Sequence, residues 1–285
     1  RCDQSGSCVW QLYIKDRLPE IITADEAAKL PAQGGEIIYS DPRSPASRIT
    51  ERLALFGNTT LTDTILGVPF RYACEGFFQV NIPVYEQALR DMREWVPYNK
   101  ARQERQLDQL AAHDNTDSQQ RVISQKKSGQ LHVGPGLFSD DIRAVKLSTI
   151  DLYAGVGTIG LTIGGDNITL VESSADAVRE MQRNITELGR TDARAVLAPS
   201  EQALDYITGK EIVIVDPPRA GLHSDVIATL LQKLPPRIIY LSCNPVTQAR
   251  DVALLQQHYR IAWHRGYNFF PRTPHSEHLV VLDKK

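Results

Sequence analysis

Cys243 leaves an apolar run in LSCNPVTQARD (residues 241–251), is followed by Asn-Pro, and precedes a stretch of helical character. A cysteine so placed is either buried filler or a nucleophile, and four cysteines in 285 residues are too few for a disulfide scaffold to account for it. Asp216 ends another apolar run in VIVDPPRAGL, where two prolines forbid the chain from continuing in a sheet and hold the carboxylate at its edge. A plain Asp-Pro turn is the bland alternative, weakened by Arg219 and Gly221 following at once. In DLYAGVGTIG (residues 151–160), Gly155 and Gly157 allow positive φ and let a ligand approach the backbone ahead of a helix starting near Thr158, whose first N–H groups are unpaired. That is a cofactor turn or a tight strand-to-helix turn; Gly160 completes G-x-G-x-x-G, so a nicotinamide or flavin dinucleotide stays open. Glu172 closes the next apolar run and suits the two hydroxyls of a ribose, with helix capping as its alternative, a task that Ser173 or Ser174 performs better. Glu277 lies between His275 and His278 and is otherwise half of a surface ion pair; no further ligands cluster there in sequence, so no metal is expected.

These residues need a scaffold, and the pattern from residue 146 supplies one. Short β-branched runs alternate with helical periods down to the closing strand-like runs YRIAWHRGYNFF and EHLVVLDKK. That alternation predicts an α/β fold with a mostly parallel sheet over residues 146–285, whose ligands sit at the carboxyl ends of the strands. Residues 1–90 carry turn signals at Gly57-Asn58 and Gly67 and predict a small β-rich domain. Between them, residues 91–145 predict a helical linker with a polar insertion (HDNTDSQQ, SQKKSGQ). No internal repeat is visible.

The formal net charge of −2 and pI near 6.4 exclude binding of nucleic acid by overall electrostatics alone. Local phosphate contacts are conceivable at Arg90, Arg93, residues 100–105, Arg121, Lys126 and Lys127; solvated helix faces are the plainer reading. No apolar run approaches the ~18 residues of a membrane span, and residues 1–20 lack a signal-like stretch, so a cytoplasmic protein is expected. Nothing indicates an obligate protein partner, and a monomer is expected. The chain opens at Arg1, so a domain not visible here carries little weight as an absence.

Five stretches, GFFQVN (76–81), DLYAGVGTIGL (151–161), DPPRAG (216–221), SCNPVTQARD (242–251) and FFPRTPHSEHLVVL (269–282), resemble in order the motifs of the RNA uracil-C5 methyltransferases, the tRNA and 23S rRNA 5-methyluridine synthases. The resemblance implies S-adenosylmethionine as methyl donor, RNA as partner, and a Rossmann-like class I methyltransferase domain beside a small domain that helps to hold RNA. By matching position it implies cofactor contacts from Gln79, Tyr153, Thr158, Glu172 and Asp216, in addition to the turn glycines Gly155 and Gly157. It further implies Cys243 as nucleophile and Glu277 as general base. Substrate contacts are expected from Phe77, Phe78, Gln79, Asp216 and Arg219, with Phe77 or Phe78 the candidate for base stacking and burial in a strand its alternative. Carbon 5 of uracil is too weak a nucleophile to take a methyl group, so a thiolate adds at carbon 6 first. The site is expected to favour that thiolate, with the helix after Cys243 contributing. The C5 proton then has to leave before the thiol is expelled, and the base must be unpaired or flipped, which favours a loop uridine.

The chain departs from the family's pattern at several points. Asn268 stands where an acid is common, Ala154 where many relatives have cysteine, and residues 82–146 exceed a single linking helix. Cys2 and Cys8 match the first two cysteines of an iron–sulfur motif whose third position is Gln11, so a four-thiolate cluster is not expected. The usual N-terminal RNA-binding barrel is not visible. The rivals are a dinucleotide-dependent oxidoreductase, which leaves Cys243 and Glu277 unused, and a non-catalytic RNA-binding or RNA-folding module. Between RNAs, 23S rRNA is favoured over tRNA.

Overall fold

The computed structural model describes residues 1–17, 21–43, 49–96 and 148–285. The expected insertion and most of the basic candidates, residues 100–105, Arg121, Lys126 and Lys127, lie outside the described residues. The chain divides into two compact units, Arg1–Thr64 with Pro69–Phe78, and Ile65–Val68 with Gln79–Lys285.

The first unit is built on β1 (Val9–Ile14), a short α1 (Ala24–Ala27), β2 (Gly34–Tyr39), β3 (Glu51–Gly57) and the pair β4 (Thr60–Ile65) and β5 (Val68–Ala73). β1 runs parallel to β2, and β3 runs antiparallel to it. Gly35 is required there because a Cβ would enter the Trp10 ring at 2.0 Å. Buried Glu36 is satisfied by Gln11 and Arg52, at 2.5 and 3.1 Å. Cys2 and Cys8, the pair that matched the start of an incomplete iron–sulfur motif, are joined to each other in a disulfide; Cys74 is a buried free thiol.

The second unit begins with α2 (Ile82–Arg93), whose Pro83 sits in the first turn where a missing N–H costs nothing. Of the basic candidates on it, Arg90 pairs with Glu86 and Arg93 donates to the Thr162 carbonyl, so both have partners within the fold. The main sheet then follows: β6 (Thr149–Leu152), α3 (Thr158–Ile163), β7 (Ile168–Glu172), α4 (Ala175–Glu187), β8 (Ala193–Leu197), β9 (Ile212–Val215), α5 (Ser224–Lys233), β10 (Arg237–Ser242), α6 (Pro245–Leu255), β11 (Tyr259–Tyr267) and β12 (Glu277–Lys284). Its seven strands are ordered β11-β12-β10-β9-β6-β7-β8. Every recorded pairing is parallel except those of β12, which runs antiparallel to both β10 and β11.

The sequence explains why the centre of this sheet is buried on both faces. TIDL, IVIV and RIIYLS are buried at every position, unlike the alternating pattern of a strand with one wet face. Ile150, Leu152, Val213, Val215, Ile238 and Tyr240 pack with Val226 and Leu230 of α5 and Val252 and Leu255 of α6. Each such aliphatic side chain contributes roughly 1.5–3 kcal/mol when fully buried. At the amino end of β10, the buried Arg237 guanidinium grips Asp283 of β12 through two bonds of 2.6 and 2.9 Å. Its remaining Nη1 donates to the Trp95 carbonyl. Among the described residues, no helix is long and apolar enough to cross a membrane.

Candidate active site

Strand register decides which side chains meet at the carboxyl edge of the sheet. Ser242 pairs with His278 in the antiparallel β10–β12 ladder, so one step on Cys243 and Glu277 stand opposite each other. Tyr240 pairs with Val215, which sets Asp216 level with Leu241. Leu152 lies between Val215 and Val171, so Tyr153 falls between Asp216 and Glu172. The edge therefore reads Glu277, Cys243, Asp216, Tyr153, Glu172.

The loops that carry these groups are braced to each other. Asn244 caps α6 by accepting from Val246 N–H, and its amide nitrogen donates to the Arg219 carbonyl at 2.9 Å. The Thr247 hydroxyl donates to the same carbonyl at 3.1 Å. Behind them Asp251, fully buried, accepts from Leu222 N–H and the Tyr240 hydroxyl, both at 2.8 Å, and from Arg250. Gly221 is obligatory here: its φ is +83° and a Cβ would strike Asp251 at 2.5 Å. The backbone after Asp216 and the backbone after Cys243 are thus one braced assembly.

Around Cys243 the electrostatics differ from the sequence expectation. Burial raises the thiol pKa, Glu277 and Asp216 raise it further, and Arg219 pulls the other way. Burial first, and the neighbouring acids after it, thus correct the expectation of a site that favours the thiolate. Glu277 itself is pushed up to about 7 by burial, opposed by Arg219. Asp216 is raised well above the usual carboxylate range by burial, then by Glu277 and Asp151. Arg219 is exposed, makes no ion pair with any described residue, and has Nη2 3.4 Å from His275 Nε2. Glu277 and Cys243 thus share one cation and little other compensation. His278 is occupied elsewhere, with Nδ1 2.6 Å from Gln248 Oε1 and Nε2 3.3 Å from His264. Among the described residues no three His, Cys, Asp or Glu side chains group as metal ligands.

The glycine turn has the left-handed geometry its composition predicts. φ is +64° at Tyr153, +58° at Gly155 and +89° at Gly157. A Cβ on Gly155 would meet nothing within 4 Å, so the space beside it is open; one on Gly160 would meet Leu170 at 2.6 Å and Asp151 at 2.9 Å. Gly160 is thus kept for packing and Gly155 for its conformation. Glu172 accepts from Gly155 N–H at 3.0 Å and from Ser174 N–H at 2.7 Å, while the Ser174 hydroxyl caps α4. Gln79 lies half-buried just before α2, whose preceding Asn81 donates to the Phe269 carbonyl at 3.0 Å. In the first unit, Phe78 is only 4% exposed and stacks on Tyr72 at 4.1 Å, whereas Phe77 is 75% exposed. Of the two phenylalanines only Phe77 offers a free ring face, which corrects the placing of Phe78 among the substrate contacts.

Two residues of this region were not singled out by type and spacing. Asp151 is fully buried; one oxygen accepts from Gly160 N–H at 2.8 Å, the other has no partner, and burial raises its pKa to about 7. Its signal was its place just before the glycines. Tyr85 is 2% exposed on α2, with its hydroxyl 2.8 Å from Thr158 Oγ1. No pattern in the sequence connects it to a turn more than seventy residues away.

A nucleoside cofactor fits what the turn offers: open space beside Gly155, a carboxylate at the end of β7, and an orphaned buried oxygen on Asp151. Comparison with known proteins agrees. Residues 152–285 match the family model for tRNA (Uracil-5-)-methyltransferase. An uncharacterized RNA methyltransferase of Nitratidesulfovibrio vulgaris is 42% identical over 144 residues, covering 47% of this chain and 31% of its own length. The tRNA (uracil(54)-C(5))-methyltransferase of Pyrococcus abyssi is 40% identical over 135 residues, covering 47% of this chain and 32% of its own. The crystal structure of the Pyrococcus abyssi tRNA (uracil-54, C5)-methyltransferase with S-adenosyl-L-homocysteine superposes with a TM-score of 0.67 at 25% identity, covering 95% of this chain and 55% of that one. The aligned stretch thus spans about a third of the length of these two curated relatives, and nearly the whole chain superposes on little more than half of the solved structure.

Proposed function

We propose, from a chain whose residues 152–285 match the family model for tRNA (Uracil-5-)-methyltransferase, that this protein methylates carbon 5 of a uridine in RNA through a covalent adduct on Cys243. The observation that carries the reading is the β10–β12 register, which sets Cys243 and Glu277 opposite each other with Asp216 beside them. A dinucleotide-dependent oxidoreductase would leave that juxtaposition unused.

S-adenosylmethionine, when bound, supplies an electrophilic methyl group. Tyr153, Gly155, Gly157, Thr158, Glu172, Asp216 and Gln79 are the residues proposed to hold it. Cys243 forms its S–C6 bond as the C5=C6 π electrons move toward the carbonyl, which turns carbon 5 into the nucleophile. The thiol releases its proton to solvent before that step, and Arg219 is the charge that favours the resulting anions. After methylation, ionised Glu277 removes the C5 proton, the C5=C6 bond re-forms and the sulfur leaves with its electron pair. Burial and its acidic neighbours raise the Asp216 pKa well above the usual carboxylate range, which favours the neutral form that can donate to a uracil carbonyl.

The first unit is proposed to face RNA, with the Phe77 ring available for a base. A single-stranded loop uridine is the favoured target because flipping it costs least. We take 23S rRNA as the first substrate to test and tRNA, the substrate named for the Pyrococcus abyssi relative, as its competitor. The protein is proposed to act as a monomer. Incubation with S-adenosylmethionine and each RNA, followed by mapping of 5-methyluridine, tests the reading: the product in either RNA supports it, and its absence from both, with cofactor bound, removes it.

A further inference from the structure

The Tyr85–Thr158 contact joins a helix outside the family-matched region to the cofactor turn. Tyr85 is buried; its edge meets the Phe269 ring at 5.9 Å, and its hydroxyl has Thr158 Oγ1 as its sole described partner. Thr158 Oγ1 likewise has no other described partner. Two hydroxyls carry two protons, and one hydrogen bond between them uses one. The other O–H has no acceptor among the described residues, and because Thr158 is only half-buried its hydroxyl is open to a ligand in the turn. Burial raises the Tyr85 pKa, and the fields of Asp216, Asp151 and Glu277 add to this, so the phenol keeps its proton.

The polar groups of the turn sort by what each can complement. Glu172 is an acceptor, suited to ribose hydroxyls. The spare hydroxyl proton is a donor, and the one anionic acceptor on S-adenosylmethionine is its carboxylate. Resting on the reading above, we propose that Tyr85 is a positioning residue that holds the Thr158 hydroxyl so that the pair donates one hydrogen bond to the cofactor's carboxylate. Specificity for the amino-acid end of the cofactor then depends partly on α2.

Isothermal titration of the full chain with S-adenosylmethionine and with its decarboxylated analogue tests this. Tyr85→Phe keeps the ring against Phe269 and is expected to weaken S-adenosylmethionine about 5- to 20-fold, with the analogue changed less than about twofold. At saturating cofactor, kcat is expected to stay within about twofold, because the contact is made equally before and during transfer. Thr158→Val is expected to weaken binding similarly, Thr158→Ser to restore it, and Tyr85→Phe combined with Thr158→Val to be no weaker than Thr158→Val alone. Equal losses for cofactor and analogue, multiplying losses in the double variant, or unchanged binding in Tyr85→Phe would overturn the proposal while leaving uridine methylation standing. A wild-type chain that binds S-adenosylmethionine with these responses yet methylates no RNA would overturn the methylation reading and leave the role of Tyr85 intact.

Discussion

The two ends of the β10–β12 strand pair treat charge in opposite ways. At one end Arg237 and Asp283 are register partners, and a buried fork-to-carboxylate contact satisfies both. At the other, Cys243 and Glu277 are the corresponding neighbours, with Asp216 alongside, and among the described residues the cation acting on Cys243 and Glu277 is the exposed Arg219. Burial raises the pKa values of all three acids, and the Glu277 charge raises those of Cys243 and Asp216 further; a paired end has no such tension. The same two strands therefore carry a clasp at one end and a reactive cluster at the other, and the cost of the second is borne by the packing between them.

The largest test of that contrast is Cys243→Ala. It is expected to abolish methyl transfer and the covalent adduct with 5-fluorouridine-containing RNA, read by a band shift on denaturing gels, with the melting temperature essentially unchanged. Glu277→Gln comes next, with turnover down about 10²- to 10⁴-fold and the methylated covalent complex accumulating. Free, fully turned-over product from that variant would remove Glu277 as the base. At the clasp, Arg237→Met leaves Asp283 with only the longer Arg260 contact at 3.9 Å and is expected to cost about 3 kcal/mol in denaturant titration, while the folded fraction keeps its activity.

Asp151→Asn sharpens the same point by removing a buried ionisation. The folded pKa of Asp151, about 7 against 3.8 for an ordinary Asp, is raised, so its stabilising contribution is complete below the lower value and is lost as pH rises through the upper. The stability of the variant relative to wild type should therefore rise by about 2–3 kcal/mol between about pH 5 and pH 8, measured without ligand. The smallest expected effect is the pH profile. Since Glu277 must ionise near 7 and burial with its acidic neighbours raises the Cys243 thiol, kcat/KM should climb through neutrality and continue into the alkaline range. A maximum below about pH 7 would mean a preformed thiolate.

Much of this was legible in the chain. Uninterrupted apolar runs such as IVIV and RIIYLS specify strands covered on both faces. The polar residue ending each run then has to lie at the carboxyl edge, and the left-handed turn at Gly155 and Gly157 follows from residues without a Cβ. These features are local and periodic, so type and spacing determined them. Which strand ends are neighbours is a property of sheet order, and only the folded register sets Cys243 against Glu277 and leaves Asp216 beside them. The upward shift of the Cys243 thiol was decided at the same level, because burial and the sum of nearby charges depend on distances between segments far apart in the chain. So was the Tyr85–Thr158 bond: a hydroxyl on one helix finds its partner through packing, and nothing in a linear pattern encodes which one.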